Sequence, residues 1–162
     1  MELFGHLAGA NWQGGVAVPL QFARMRNQLP QNAADRLWQV LASVGIECVI
    51  VGSVASSVAG EARTTQNIEI LSVIHSEHVE DLRSALAGHY YFDAESAQEA
   101  LTAKRSFNVI ALEGLLKFDF FPANDAFARS QLQRKRFLTL AYLSPDAVSV
   151  ATPEDTILAK LR

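Results

Sequence analysis

A short apolar run that ends on a glycine constrains this chain more than any other feature. Cys48-Val49-Ile50-Val51 is rich in β-branched residues and reads as a buried strand. Gly52-Ser53 breaks it, residues 54–58 suit one or two helical turns, and Gly60 is placed to end them. A polar loop over 61–66 leads to a second strand over 67–71. Strand alternation sends Asn67 and Glu69 to one face and Ile68 and Ile70 to the other. One face therefore belongs to a core, and the other shows two oxygen-bearing side chains beside a glycine turn.

Taken by themselves, Asn67 and Glu69 read as surface residues. The order of the motifs adds to that. An apolar strand ending in Gly-Ser is followed, with thirteen residues between Ser53 and Asn67, by Asn67-Ile68-Glu69-Ile70. Phe118-Asp119-Phe120 and a late Pro153-Glu154-Asp155 run come after it. This series resembles the nucleotidyltransferase superfamily with its polymerase-β-like fold. The run Arg63-Thr64-Thr65-x-Asn67-Ile68-Glu69-Ile70 is similar to that of the bacterial abortive-infection and toxin–antitoxin nucleotidyltransferases. The resemblance spans roughly residues 33–162. It implies an α+β fold, a mixed sheet flanked by helices. Two positions depart from the family pattern. Asn67 stands where the first catalytic Asp is usual, and Ala59 stands where a His often precedes the second glycine.

The resemblance also implies a chemistry. A hydroxyl attacks the α-phosphorus of a nucleoside triphosphate and pyrophosphate leaves. Two Mg²⁺ (or Mn²⁺) ions roughly 4 Å apart neutralise charge on both oxygens. Mg²⁺ prefers carboxylate, phosphate and water oxygens. The positions that match its ligands and the catalytic acids are Asn67, Glu69 and Asp119, with Asp119 as the base. Gly52 and Ser53 would receive the triphosphate, with the N-terminus of the next helix aimed at the same place. Arg63 and Lys117 would serve as phosphate partners. Asn67 is neutral, so two formal negative charges face up to four positive ones. At an effective dielectric near 20, each lost contact costs roughly several kcal/mol.

Three readings follow. The first is a Mg²⁺-dependent transferase acting on an RNA, protein or small-molecule hydroxyl. The second is a catalytically degenerate module that binds nucleotide, RNA or a partner. The third is a scaffold or antitoxin-like partner in which the acids are solvated.

At 162 residues the chain fits one domain with a real core, taken as residues 32–162 behind an unassigned arm over 1–31. A net charge of −3 gives no global nucleic-acid signature. No apolar run is long enough to span a membrane, and no secretory leader is apparent, so a cytoplasmic setting is expected. Cys48 is the only cysteine and reads as core. Oligomeric state stays open, a homodimer included.

The remaining elements are read from periodicity. The arm, with Gly14-Gly15 and Pro19, is an appended hairpin, a dimer contact or a loose end. A helix over 32–44, capped by Asn32, buries Ala34, Leu37, Trp38, Leu41 and Val44. Residues 76–88 form a second helix. His75 and His78 lack a third metal ligand at useful spacing and read as a solvated helix start. A short strand over 90–93 and a helix over 96–105 follow. Glu113-Gly114 then joins strands over 107–112 and 115–121 as a tight hairpin. By strand logic alone the second of these is an edge strand with Asp119 in solvent. Residues 125–140 read as a helix carrying the basic run Arg129, Arg134, Lys135, Arg136, either a solvated face or a phosphate or RNA path. Residues 148–150 form a strand, and Thr152-Pro153 starts a last helix. In the family more helix follows. Here the sequence stops at Arg162, which would weaken acceptor binding or mark a minimal version.

Overall fold

The strand–glycine–helix–strand unit is present and occupies the middle of the molecule. The computed structural model describes residues 10–13, 16–58, 67–141 and 143–162, with side chains from residue 32 onward. Gly60, the 61–66 loop and Arg63 lie outside the described residues.

β1 (Ala10–Gln13) pairs antiparallel with β2 (Val16–Pro19) as a separate two-stranded sheet, the hairpin among the readings of the arm. α1 (Leu20–Val44) follows directly. It starts twelve residues before Asn32, so Asn32 is not its cap. Pro30 disfavours helix at the residue before it, which suggested a boundary there. The helix runs through at the cost of one backbone N–H. Asp35 therefore lies well inside the helix rather than in its first turn. It accepts hydrogen bonds from Ser144 Oγ (2.7 Å) and Gln39 Nε2 (3.1 Å).

The chain then forms β3 (Cys48–Val51), α2 (Gly52–Val58) and β4 (Asn67–Ser72). A 3-10 turn over Ser76–His78 opens α3 (Val79–Leu86), which buries Val79, Leu82 and Leu86. Next come β5 (Tyr90–Tyr91), α4 (Ala94–Thr102), β6 (Phe107–Ala111), β7 (Lys117–Pro122) and α5 (Ala126–Arg134). β8 (Arg136–Thr139), β9 (Ala147–Val150) and α6 (Pro153–Lys160) complete the fold. Seven strands form one mixed sheet in the order β5-β6-β7-β4-β3-β9-β8, and helices flank it, an α+β fold.

Two further expectations are corrected. β7 is not an edge strand: it lies between β4, to which it runs parallel, and antiparallel β6. Period-2 patterning reports faces and says nothing about neighbours. The helix expected to reach residue 140 ends at Arg134, because Lys135 is extended (ψ 148°) and Arg136–Thr139 pairs antiparallel with β9. The basic run is thereby divided. Arg134 binds Asp155 on α6, Lys135 binds Glu47, and Arg129 donates to the Asn124 carbonyl.

One sheet face carries Ile50, Ile68, Ile70, Phe118 and Phe120, each no more than 1% exposed. Trp38 on α1 and Tyr90 meet Phe118 edge-on at 6.3 Å, and the Tyr90 hydroxyl donates to the Ala33 carbonyl at 2.6 Å. Burial pushes the Tyr90 hydroxyl up to about 12. Trp38 is only partly buried as a residue, yet its Nε1 is buried without an acceptor. Cys48 is packed against the core, and burial pushes its thiol up to about 11, which fits a structural thiol.

Candidate functional site

The opposite face of the sheet holds the polar set. In the parallel ladder between β4 and β7, Asn67 is opposite Lys117 and Glu69 is opposite Asp119. Residues in register point the same way. Asn67, Glu69, Lys117 and Asp119 thus share one face, while Ile68, Ile70, Phe118 and Phe120 take the other. Asn108 of β6 is opposite Asp119 and extends the polar face by one strand.

Gly52 joins this face to α2. Its φ is +64°, a conformation that favours glycine. A Cβ there would also fall on the Glu69 carboxylate, with Oε2 and Cδ far inside contact distance and Oε1 at 3.0 Å. Glu69 uses that room. Its Oε2 accepts the Ser53 backbone N–H at 2.9 Å. The Ser53 amide, in the first turn of α2, is therefore bonded to the protein's own carboxylate, at the place expected to receive phosphate. Nothing in the sequence signals this bond, because its partners are sixteen residues apart.

Asp119 is also engaged. Its Oδ1 lies 2.8 Å from Lys117 Nζ, and the side chains are 19% and 36% exposed. The two residues stand at i and i+2 on one strand, close enough for an ion pair partly shielded from water.

A cleft of about 750 Å³ opens from this corner, within the range of small-molecule sites. Gly52, Ser53 and Glu69 line one end. Phe127 and Gln131 of α5, and Thr156 and Lys160 of α6, line the other. Asn67, Lys117 and Asp119 are not among its lining residues. They stand beside it on the same sheet face, next to Glu69. Arg162 reaches the rim, held by Asp125 Oδ2 at 3.2 Å and stacked 4.8 Å over the Phe127 ring. Gln131, Phe127 and Thr156 were not singled out from sequence. Their one common signal is helical spacing in segments already expected to cover the sheet.

The fit of a pair of magnesium ions can be tested on the donors themselves. Such a pair calls for several carboxylate oxygens free to turn toward it. Asn67 brings no charge, one oxygen of Glu69 holds the Ser53 amide, and one oxygen of Asp119 faces an ammonium. Among the described residues no group of three or more His, Cys, Asp and Glu side chains is arranged to hold a metal ion. The set does not fit two ions. His75 is exposed and His78 half-buried, their rings stacked at 5.7 Å, with His78 Nδ1 accepting the His75 N–H.

No protein-family model matches the chain, and no curated protein matches it. Among solved structures it is similar to a Thermotoga maritima protein described provisionally as a nucleotidyltransferase. Identity there is 15% and the TM-score 0.48, over 88% of this chain and 82% of that one. It is also similar to a tRNA-processing enzyme in an apo form, with 14% identity and a TM-score of 0.36 over 74% of this chain and 28% of that one. Among the described residues no helix is long and apolar enough to cross a membrane.

Proposed function

We propose that the chain is a nucleotidyltransferase-like protein that binds a nucleoside triphosphate in the cleft beside Gly52 and Ser53, with two-metal transfer chemistry lost. One observation carries this reading. Glu69 and Asp119 are in register on adjacent strands, on the face that leads into a 750 Å³ cleft. That is the juxtaposition the resemblance implies beside a triphosphate, while the donors around it do not suit a pair of ions. Lys160 and Arg162 on the rim supply positive charge for a polyphosphate, and Phe121 and Phe127 offer apolar faces for a base. The Ser53 hydroxyl stands at the mouth. A role for Arg63 as a further phosphate partner belongs to this proposal.

Calorimetry with ATP, GTP, CTP and UTP tests the reading. At least one should bind, and Lys160→Ala combined with Arg162→Ala should weaken it. Four triphosphates without heat or competition would end the proposal. The runner-up is a transferase with an RNA, protein or small-molecule acceptor. It is favoured by the side chain of Asp119, which keeps 19% of its surface open to an incoming hydroxyl. Incubation with labelled triphosphate, Mg²⁺ and acceptor RNA or protein decides that reading. Turnover by the natural sequence supports it, and turnover only after Asn67→Asp rejects it.

A further inference from the structure

The polar face has an unusual charge balance. Two carboxylates, Glu69 and Asp119, are accompanied by one ammonium, Lys117, and by a neutral amide at position 67. The sum is a single net negative charge, within one sheet face. An acid at each of positions 67, 69 and 119 without a lysine would carry three. Carboxylates crowded together in that way need a divalent cation to be tolerable. Here the counter-charge is covalently part of the strand that carries Asp119.

We infer that the Lys117 ammonium stands, against Asp119, in place of the divalent ion, so that a polyphosphate in the neighbouring cleft, which the ladder meets at Glu69, is held without a metal. Three features on the same ladder support this. The ammonium is 2.8 Å from Asp119 Oδ1, the distance of a direct ion pair. Lys117 is in register with Asn67, the position where a third negative charge would otherwise stand. Glu69 is held by the Ser53 amide, so its carboxylate is already stabilised without an ion. A metal entering here would meet a positive charge a few ångströms away. At an effective dielectric near 20, repulsion at such distances lowers affinity by roughly tenfold or more. Loss of the lysine alone would remove that term and leave two carboxylates with no counter-charge, a pair that draws cations more strongly.

The ligand named in this inference rests on the proposed nucleotide cleft, but the cation claim can be tested without any ligand. Mn²⁺ is titrated into the protein and the free ion is followed by electron paramagnetic resonance. Lys117→Met should bind Mn²⁺ at least roughly tenfold more tightly than the natural protein. Lys117→Arg, which keeps a cation, should behave like the natural protein. Lys117→Gln gives the same comparison if the methionine variant does not fold. Equal Mn²⁺ affinity in the natural and neutral variants overturns the inference, as does tight binding by the natural protein. A second arm measures ATP binding by calorimetry in EDTA and in Mg²⁺. The natural protein should show the same affinity in both, and Lys117→Met should lose most of its binding in EDTA and regain it in Mg²⁺. Binding by the natural protein that vanishes in EDTA also overturns the inference. A protein that binds no triphosphate in either buffer ends the proposed function, while the Mn²⁺ comparison still decides the role of Lys117.

Discussion

Two strand-to-helix crossings lie side by side in this sheet and are finished in opposite ways. β3 leads into α2 and β9 leads into α6, and the two strands are parallel neighbours joined at Ile50 and Val150. α6 closes its own start. Thr152 Oγ1 accepts the Asp155 N–H at 3.2 Å, and Pro153 brings no N–H to be satisfied. Asp155 is 1% exposed and bound by Arg134 through a two-pronged contact. α2 has no such local finish. Its Ser53 amide is met by a carboxylate from the next strand, admitted only because Gly52 lacks a side chain. A start satisfied from within is a structural joint. A start satisfied by a distant acid at the end of a cleft is, under the proposed function, where a ligand would compete with the protein's own carboxylate.

Substitutions at the two crossings put this contrast at risk. The largest effect is expected at Gly52→Ala, which combines a left-handed φ with a clash on Glu69. It should cost roughly 2–4 kcal/mol, read by urea denaturation. A Gly52→Ala protein as stable as the natural one would mean that Glu69 can leave without consequence, and the contrast would be wrong. Asp155→Asn should cost roughly 1–3 kcal/mol, since it removes the buried anion of an ion pair whose arginine is half exposed. It should leave triphosphate affinity unchanged in calorimetry. Thr152→Ala should cost about 1 kcal/mol, the loss of a helix cap, again with no change in the cleft. A drop in triphosphate affinity in either variant would show that the α6 joint is part of the site after all.

The smallest effect concerns pH. Asp93 and Asp125 cap α4 and α5, and the Ser96 and Ala128 amide donors respectively hold their carboxyls below the ordinary 3.8. The folded carboxyl is the stronger acid, so its stabilisation is complete above the unfolded value. It disappears as pH falls through the lower folded value. Hydrogen exchange at pH below about 4 should therefore show the Ser96 and Ala128 amides losing protection before the Asp155 amide. The hydroxyl cap of Thr152 has no proton to gain in that range. Simultaneous loss at all three helix starts would contradict the assignment.

What could be read from the residues alone follows the same division. β3, β4 and the shared face of Asn67 and Glu69 were legible, because alternation and a glycine break are local signals. The start of α6 was legible too, since cap, proline and acids are consecutive. The central place of β7 was not, because two alternating phenylalanines look alike at an edge and in the middle of a sheet. Asp155 is an acid in the first turn of α6, as its place in the sequence implies, but its burial against Arg134, twenty-one residues earlier, has no local signal. Arg134, Lys135 and Arg136 are good helix formers, yet the last of them belongs to β8, whose pairing with β9 outweighs local preference. The ion pair of Lys117 with Asp119 was within reach of sequence, because residues two apart on a strand are neighbours. Lys117, expected as a phosphate partner, is instead paired with that acid.

The missing side chain at position 52 ties that residue to one far along the chain. A glutamate at 69 can reach the Ser53 amide only where 52 is glycine, and a glycine at 52 is needed most where 69 carries a long acid. Descendants of this sequence should therefore inherit the two as a pair. A lineage that shortens the acid becomes free to let the glycine drift, once its backbone can leave the left-handed region. Variant libraries randomised at both positions would show this as survivors clustering in linked combinations rather than spreading independently.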